Sequence, residues 1–278
     1  MAVPTLSGHS GLSLPAIGLG TYSLDGNAGS AIIADAIGLG FRLLDSAVNY
    51  ENEGAVGDAV RRCGLPRHEL IVTSKLPGRH HDVNGALTTI EESAMRMGLD
   101  TIDLYLIHWP NPLEDRYVEA WTALLEARDR GLVRHIGVSN FLPEHLERLR
   151  RETGELPEVN QIELHPYWPQ AEQLAYHREN GILTEAWSPL GRGSDLLANP
   201  VVCEIAARRA ISAAQAVLAW HVHKGAIPIP KSRSAERLAE NLAIFEISLS
   251  DDDVASLDSL SRGDGRLADQ DPAVYQEF

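Results

Sequence analysis

Phe41-Arg-Leu-Leu-Asp-Ser-Ala-Val-Asn-Tyr50 begins as a short apolar run, the pattern of a buried strand, and that run ends at Asp45. Tyr50 follows in the next loop. Considered alone, this is also ordinary turn chemistry, because Asp and Asn are common turn residues. Two later apolar runs end in the same way, at Lys75 and at His108. Three neighbouring strands are therefore predicted to carry ionisable groups to one end of one sheet.

The rest of the chain repeats this unit, a short apolar run followed by a helical segment. Alternating strands and helices favour parallel βαβ units, and eight units in 278 residues favour a closed (β/α)8 TIM barrel over an open doubly wound sheet. We predict strands over residues 16–20, 41–45, 69–74, 101–107, 133–139, 159–163, 182–186 and 226–229. We predict helices over residues 29–39, 52–63, 82–97, 116–130, 143–151, 171–180, 200–209, 213–224, 235–244 and 251–260.

This pattern predicts an α/β protein with a single domain, residues 1–278. A short N-terminal β-hairpin within residues 3–15 is expected to lie outside the main core, and a short C-terminal tail without periodicity begins at residue 261. No G-x-G-x-x-G motif follows the first predicted strand, so the usual dinucleotide-binding fold has no support.

The composition excludes several classes of partner. A net charge of −15 argues against binding to nucleic acid or to an anionic membrane surface. No apolar run approaches the roughly 18 residues of a membrane span, and the start of the chain does not resemble a signal peptide. The two cysteines lie far apart in the sequence and are expected to be reduced thiols. We therefore expect a cytoplasmic protein with no metal site, no nucleic-acid partner and no membrane partner.

In a barrel of this kind the active site lies at the C-terminal ends of the strands. A tyrosine with a pKa near 10 is a poor acid at neutral pH, and a neighbouring ammonium ion lowers that pKa. Lys75 could supply this charge, Asp45 could hold Lys75 in place, and His108 could orient a carbonyl oxygen beside the Tyr50 hydroxyl. Such a set suits proton delivery to a carbonyl oxygen whose carbon receives a hydride. The alternative is a structural Asp–Lys ion pair with an unrelated histidine.

Motifs at the strand ends carry a further signal, because they occur together and in a fixed order. They are Gly18–Thr21, Leu44–Tyr50, Thr73–Lys75, Asp103–Pro110, Gly137–Phe141, Val159–Tyr167, Trp187–Gly191, Ile229–Ser232 and Glu236–Asn241. In this combination the chain resembles the aldo-keto reductases along nearly its whole length, and the short bacterial members of that family in particular. The resemblance implies NADPH-dependent reduction of aldehydes or ketones to alcohols. It also implies a catalytic tetrad of Asp45, Tyr50, Lys75 and His108, with Tyr50 as the general acid.

The resemblance further implies that NADPH (NADP+ after reaction) lies extended across the barrel mouth. Trp187 would stack on the nicotinamide ring, Ser188–Gly191 would follow the pyrophosphate, and Glu240 and Asn241 would meet the adenine. Four residues around position 231 would meet the 2′-phosphate. The full set of implied cofactor contacts is Gly20, Thr21, Asp45, Ser139, Asn140, Gln161, Trp187, Ser188, Pro189, Leu190, Gly191, Lys231, Ser232, Ser234, Arg237, Glu240 and Asn241.

The residues themselves support the phosphate site. Lys231, Arg233 and Arg237 form a local basic cluster in an acidic protein, at the start of a predicted helix where free backbone N–H groups attract anions. A solvated, charged helix end is the alternative. Arg233 is expected to point to solvent.

The substrate is predicted to be a small-molecule carbonyl compound bound by Tyr22, Tyr50, His108 and Trp109. Further pocket walls are expected from Trp187, Tyr275 and Phe278, while the short loop after Trp187 and the short tail leave the substrate itself undefined. A monomer is expected, because a closed barrel has no free edge strand. The competing functions are a catalytically weak NADP-binding regulatory protein on the same fold and a Schiff-base lyase that uses Lys75 or Lys231.

Overall fold

A computed structural model describes residues 3–278, and its main body is a parallel barrel. Within the described residues, eight strands (β3 to β10) form one parallel sheet in chain order, and β1 and β2 form a separate antiparallel hairpin. The strands are β1 Thr5–Ser7, β2 Ser13–Pro15, β3 Leu19–Gly20, β4 Leu43–Asp45, β5 Ile71–Leu76, β6 Ile102–Ile107, β7 Val133–Ser139, β8 Val159–Glu163, β9 Leu183–Trp187 and β10 Ile227–Pro228. The predicted (β/α)8 fold and the N-terminal hairpin are confirmed.

Two backbone hydrogen bonds join the first barrel strand to the last. Gly18 N donates to Pro228 O and Gly20 N donates to Pro230 O, both at 3.0 Å. The two segments approach closely here, because a Cβ on Gly18 would lie 2.6 Å from Ile229 Cδ1, and one on Gly20 would lie 3.1 Å from Ile229 O. Glycine at both positions therefore permits the sheet to close.

The helices surround this barrel. Their bounds are α1 Gly26–Leu39, α2 Glu53–Arg62, α3 Val83–Met97, α4 Tyr117–Asp129, α5 Pro143–Thr153, α6 Ala171–Asn180, α7 Pro200–Arg209, α8 Ala213–His223, α9 Ala235–Leu242 and α10 Asp251–Asp258. Local signals set several ends: the Asp82 side chain accepts from Gly85 N at the start of α3, and Gly98 ends that helix in the left-handed conformation. No helix within residues 3–278 combines the length and apolar character needed to cross a membrane.

The hairpin is part of the core. Leu12 and Leu14 are buried and pack into one apolar cluster with the barrel residues Leu43, Leu104 and Leu106. The prediction that the hairpin lies outside the main core is therefore wrong. Burial of its leucines against the barrel strands supplies the hydrophobic contact that a short two-stranded hairpin lacks alone.

Several bounds differ from expectation: β3 begins at Leu19 rather than at residue 16, β4 begins at Leu43 rather than at residue 41, and β5 covers Ile71–Leu76 rather than 69–74. The first helix begins at Gly26, three residues earlier than predicted, after an extended Asp25. The C-terminal tail, which shows no period in the sequence, folds back to the barrel mouth: the side chain of Asn111 pairs with the backbone of Glu277, with Asn111 Nδ2 2.7 Å from Glu277 O and Glu277 N 3.0 Å from Asn111 Oδ1. The tail therefore forms one wall of the site described next.

Candidate active site

Asp45 and Lys75 form a buried ion pair on adjacent strands, β4 and β5. Lys75 Nζ donates to Asp45 Oδ1 at 2.6 Å and to Ser46 O at 2.8 Å. Burial lowers the pKa of Lys75, but the charge of Asp45, the nearby Tyr50 and the hydrogen bond to Asp45 outweigh that effect, so the pKa of Lys75 lies above its ordinary value. Lys75 is therefore an ammonium ion in the folded protein.

Tyr50 ends a short 3-10 turn, Val48–Tyr50, that follows β4. Lys75 Nζ lies 5.1 Å from the centroid of the Tyr50 ring. Burial raises the pKa of Tyr50, Lys75 lowers it and Asp45 raises it, and the net pKa lies above the ordinary value of 10.0. Lys75 lowers the pKa of Tyr50 as predicted, but the net pKa is not lowered, because desolvation is the larger effect and Asp45 offsets the ammonium charge. Tyr50 therefore keeps its hydroxyl proton at neutral pH.

Gln161 connects Asp45 to a second buried acid, Glu185. Gln161 Nε2 donates to Asp45 Oδ1 at 2.8 Å and to Glu185 Oε2 at 2.7 Å. Glu185 is fully buried, and burial together with the charge of Asp45 raises its pKa to about 7. Both amide hydrogens of Gln161 are used by carboxyl groups, so its Oε1 remains available as an acceptor.

Two rings, those of Tyr22 and His108, pack edge-on against the Tyr50 ring. The ring centroids of Tyr50 and His108 lie 5.9 Å apart with the planes at 76°, and those of Tyr50 and Tyr22 lie 5.2 Å apart at 79°. Trp109 packs against Tyr275 of the tail at 4.5 Å between centroids. The structure therefore brings the four predicted substrate residues to one face of the mouth.

Ser139, Asn140 and Trp187 form a hydrogen-bonded group at the ends of β7 and β9. Asn140 Nδ2 donates to Ser139 Oγ and to His108 O, both at 3.0 Å, and Trp187 Nε1 donates to Asn140 Oδ1 at 2.7 Å. Ser139 Oγ donates to Gln161 O at 2.8 Å. Asn140 adopts a left-handed φ of 64°, which asparagine tolerates better than most residues. These bonds fix the Trp187 ring and leave oxygen lone pairs of the group free to accept.

A cavity of about 540 Å³ opens at this end of the barrel. Most of the predicted site residues line it, namely Gly20, Tyr22, Asp45, Tyr50, His108, Trp109, Ser139, Asn140, Gln161, Trp187, Ser188, Pro189, Leu190 and Lys231. The remaining predicted residues lie outside the cavity lining: Thr21, Lys75, Gly191, Ser232, Ser234, Arg237, Glu240 and Asn241. Lys75 lies beneath the cavity floor, and the Thr21 hydroxyl donates to Asp45 O at 2.8 Å, so both support Asp45 from below.

Positive charge collects at one end of this cavity. Lys231 lines this end of the cavity. Its partial burial has the largest effect on its pKa, and the positive charges of Arg233 and Arg192 add to it, so the pKa of Lys231 lies below its ordinary value. Arg233 is exposed, yet its Nη2 donates to Ser23 O at 2.7 Å, so it does not simply point to solvent as predicted. Ser234 caps α9 by accepting from Arg237 N at 3.3 Å. The predicted helix start is therefore present, with Lys231 and Arg233 close by in the sequence, and anion binding there stays a prediction.

Sequence reasoning missed three residues of the site. Arg192 lines the cavity and lies over the Tyr22 ring, with Cζ 4.7 Å from the centroid. Glu277 also lines the cavity, and Glu185 lies beneath it. Phe278, predicted as a pocket wall, is instead 85% exposed and outside the lining. Of the three, only Glu185 left a signal in the sequence, because a charged residue in the middle of a predicted strand is unusual.

The fold and the site together define the class of the protein: it is a barrel oxidoreductase that acts on carbonyl groups, with a buried Asp–Lys pair beneath a protonated tyrosine. The chain belongs to the Aldo/keto reductase family, whose sequence pattern matches residues 16–262. It is accordingly an NADP-dependent oxidoreductase. No group of three or more histidine, cysteine, aspartate or glutamate side chains within residues 3–278 is arranged to hold a metal ion.

Individual relatives resemble this chain over almost its whole length. The 2,5-diketo-D-gluconic acid reductase B of Corynebacterium sp. is 50% identical over 276 residues, which cover 99% of each chain. The crystal structure of a Gox0644 mutant in complex with NADPH superposes with a TM-score of 0.94 at 39% identity, covering 99% of this chain and 100% of that one. The Bombyx mori aldo-keto reductase in complex with NADP gives a TM-score of 0.91 at 30% identity, covering 100% and 99%.

Proposed function

We propose that this enzyme reduces a small-molecule aldehyde or ketone to the alcohol, with Tyr50 as the general acid at the carbonyl oxygen. One observation carries the assignment: Tyr50 lines the cavity as a neutral phenol, and the Lys75 ammonium lies behind its ring, 5.1 Å from the centroid. A positioned phenol next to a fixed positive charge can release its proton at the moment when negative charge develops on the carbonyl oxygen.

Lys75 and Asp45 act as a unit in this proposal. As the Tyr50 proton moves to the substrate oxygen, the phenolate that forms is stabilised by the ammonium, which Asp45 holds at 2.6 Å. The ammonium can also return a proton to the phenolate, since it carries more hydrogens than its two acceptors, Asp45 Oδ1 and Ser46 O, use. A neutral residue at position 75 would remove both effects.

The residues around the cavity fit NADPH, which supplies the hydride when it is bound. The Trp187 ring, fixed by its bond to Asn140, offers a flat face for the nicotinamide ring. Gln161 Oε1 and the Ser139 hydroxyl oxygen offer acceptors for a carboxamide. At the other end, Lys231 and its basic neighbours suit a phosphate group, and we propose Arg237, Ser232 and Ser234 as the contacts of the 2′-phosphate, followed by Glu240 and Asn241 at the adenine.

We also propose that the whole chain acts as one domain and as a monomer in the bacterial cytoplasm. The continuous barrel supports the single domain, because β3 hydrogen-bonds back to the segment after β10. Within residues 3–278 this closure leaves the barrel sheet no free strand edge for a partner. The bacterial origin of the Corynebacterium relative supports the proposed source. Sedimentation and cell fractionation would check state and compartment.

The Schiff-base alternative loses support from the state of Lys75. Nucleophilic attack needs a neutral amine, whereas Lys75 is an ammonium ion held by two acceptors and fully shielded from solvent. Lys231 lies at the basic end of the cavity, beside Arg192 and Arg233, rather than next to Tyr50. No specific contact favours the regulatory alternative.

The experiment is a panel of aldehydes, α-dicarbonyl compounds and keto-sugars, each followed by oxidation of NADPH. We expect turnover with at least one class and loss of most turnover in Tyr50→Phe. A wild-type protein that binds NADPH tightly but reduces none of the panel would favour the regulatory alternative. Substrate adducts trapped by borohydride in the absence of NADPH would favour the lyase.

A further inference from the structure

The end of the chain reaches the catalytic residues through Glu277. Asn111, buried and with a left-handed φ of 46°, holds the backbone of Glu277 through two hydrogen bonds. Gly78 permits this approach, because a Cβ at that position would lie 2.1 Å from Asn111 Nδ2 and 2.6 Å from Glu277 O. The tail is therefore seated by specific contacts, and the Glu277 side chain enters the cavity wall.

The Glu277 carboxylate meets three catalytic loops. Oε1 lies 2.6 Å from His108 Nδ1, a close contact that is not aligned as a hydrogen bond, and it accepts a hydrogen bond from Asn49 Nδ2 at 2.7 Å. Oε2 accepts from Gly78 N at 3.0 Å. Asn49 immediately precedes Tyr50 and is itself held by Arg79, at 2.5 Å. These three contacts come from the loops after β4, β5 and β6, so one side chain ties the Tyr50 loop to the His108 loop.

The charge of this carboxyl decides where the hydrogen of the His108 ring lies. Burial raises the pKa of Glu277, but the nearby His108 ring and the hydrogen bonds from Gly78 N and Asn49 Nδ2 outweigh it, so the pKa lies below its ordinary value and Glu277 is ionised. An ionised carboxylate is only an acceptor, and a lone pair on His108 Nδ1 at 2.6 Å would repel it. The hydrogen therefore belongs on Nδ1.

We propose that Glu277 is a positioning residue for His108: it keeps the ring hydrogen on Nδ1 and turns Nε2 toward the substrate. The inference rests on the proposed function, in which Tyr50 is the acid at the carbonyl oxygen, and on the prediction that His108 orients that oxygen beside the Tyr50 hydroxyl. In the neutral ring Nε2 then carries a lone pair, so the hydrogen given to the carbonyl oxygen comes from Tyr50. With hydrogen only on Nδ1, Nε2 can accept a hydrogen bond from a substrate hydroxyl group. Nε2 can donate a hydrogen bond to the carbonyl oxygen only when both ring nitrogens carry hydrogen.

The first test reads the tautomer directly and needs no turnover. Protein with 15N-labelled histidine gives long-range proton–nitrogen correlations that show which ring nitrogen carries hydrogen. There are 11 histidines, so the His108 signals are assigned by their absence in His108→Gln. We expect hydrogen on Nδ1 in the wild type and a shift toward Nε2 in Glu277→Gln and Glu277→Leu. A wild-type ring with hydrogen only on Nε2, or a pattern unchanged by both substitutions, overturns the proposal.

The second test is a double-mutant cycle on kcat/KM. Loss of the carboxylate charge beside His108 predicts that Glu277→Gln lowers kcat/KM by about 10-fold. If Glu277 acts through His108, the same substitution in a His108→Gln background should cost less than about 2-fold, because coupled residues are not additive. Equal losses in both backgrounds would mean that Glu277 acts only as a clamp for the tail.

Gln276→Ala is the matched control. Gln276 is the neighbour of Glu277 in the tail, lies outside the cavity lining, and its side chain bonds to the tail and to Glu114 N. This variant should keep both the wild-type tautomer and the wild-type kcat/KM. The tautomer test stays readable if Tyr50 proves not to be the acid, so a failure of this inference and a failure of the proposed function can be told apart.

Discussion

Gln161 donates one amide hydrogen to Glu185 Oε2, at 2.7 Å, inside the barrel. The second amide hydrogen goes to Asp45, so one amide joins two buried carboxyl groups that share a single ammonium ion, Lys75. Two negative charges and one positive charge in a dry interior favour protonation of the carboxyl farther from the ammonium. Burial, which is the larger cause, and the charge of Asp45 together raise the pKa of Glu185 to about 7. These two bonds also fix the orientation of the Gln161 amide, because each of its two hydrogens has its own carboxyl acceptor.

Glu185→Gln should therefore change stability in a pH-dependent way. A pKa raised from 4.5 to about 7 means that the folded wild type holds a proton that the unfolded chain releases, so wild-type stability falls as the pH rises between those values. Glutamine removes this loss. At about 1.4 kcal/mol per pKa unit, the variant should gain at most about 3 kcal/mol relative to the wild type between pH 5 and pH 8.

Urea unfolding of both proteins near pH 5 and near pH 8 measures this difference. Glu179→Gln, an exposed position on α6, is the control and should show no comparable change with pH. A gap between Glu185→Gln and wild type that is the same at both pH values would mean that Glu185 is ionised throughout.

Tyr50→Phe should keep the fold and NADPH binding and lose most carbonyl reduction. The substitution removes only the hydroxyl, and general acid catalysis contributes about 10² to 10⁴-fold to a rate. Single-turnover reduction under NADPH excess isolates the chemical step, and circular dichroism checks the fold. A variant that retains wild-type single-turnover rates would contradict the assignment of Tyr50 as the acid.

Lys75→Met should cost both stability and activity. Lys75 is fully buried, and its removal leaves Asp45 and Glu185 in the interior without a counter-charge. Breaking a buried ion pair typically destabilises by about 3–5 kcal/mol. The double variant Lys75→Met with Asp45→Asn removes both charges and should recover part of the stability but none of the activity. Denaturant unfolding measures the free energy of unfolding of the single and double variants. If the double variant is no more stable than Lys75→Met, the ion-pair explanation is wrong.

The sequence was sufficient for the parts of the site that lie on regular strands. Asp45 and Lys75 end or nearly end strands whose apolar runs are visible, and a parallel barrel brings such ends together. Glu185 was also visible in principle, because in a strand it shares one face with Leu183 and Trp187, which point inward. The sequence alone does not mark Glu185 as a site residue, because a buried charge does not fit a strand pattern until its partner is known.

Glu277 could not be inferred in this way. It lies in a tail without periodicity, and its position depends on contacts with Asn49, Gly78 and Asn111, which are far away in the sequence. The net pKa of Tyr50 was missed for a related reason: the sequence showed the neighbouring Lys75 charge but not the extent of burial, which has the larger effect. Charge patterns can be read from sequence, whereas desolvation requires the structure.

Oligomeric state can be tested independently of chemistry. The barrel sheet is closed between Gly18 and Pro228, so it offers no edge for strand pairing with a second chain. Sedimentation equilibrium at micromolar protein should give the mass of one chain, 30.4 kDa. A stable dimer at that concentration would overturn the monomer proposal, although the catalytic assignments would stand.

The sharpest prediction for the cofactor site concerns Arg237, because NADPH and NADH differ only in the 2′-phosphate. Within the described residues, the Arg237 side chain has no hydrogen-bond or ion-pair partner, whereas Arg233 is bonded to Ser23 O and Arg192 lies over Tyr22. An exposed guanidinium at the start of α9 can form a two-pronged contact with phosphate oxygens beside the free N–H groups of the helix.

Arg237→Ala should therefore weaken NADPH and leave NADH almost unchanged. Loss of one charge-assisted hydrogen bond predicts about 10- to 100-fold weaker NADPH binding, while NADH has no group at this position and should change by less than about 2-fold. Quenching of tryptophan fluorescence measures both dissociation constants, and Arg178→Ala, an exposed arginine on α6, serves as the control for loss of one surface charge. The electrostatic part of the effect should shrink as salt is added, because the contact is exposed. Equal weakening of NADPH and NADH would show that Arg237 supports the local structure and does not contact the phosphate.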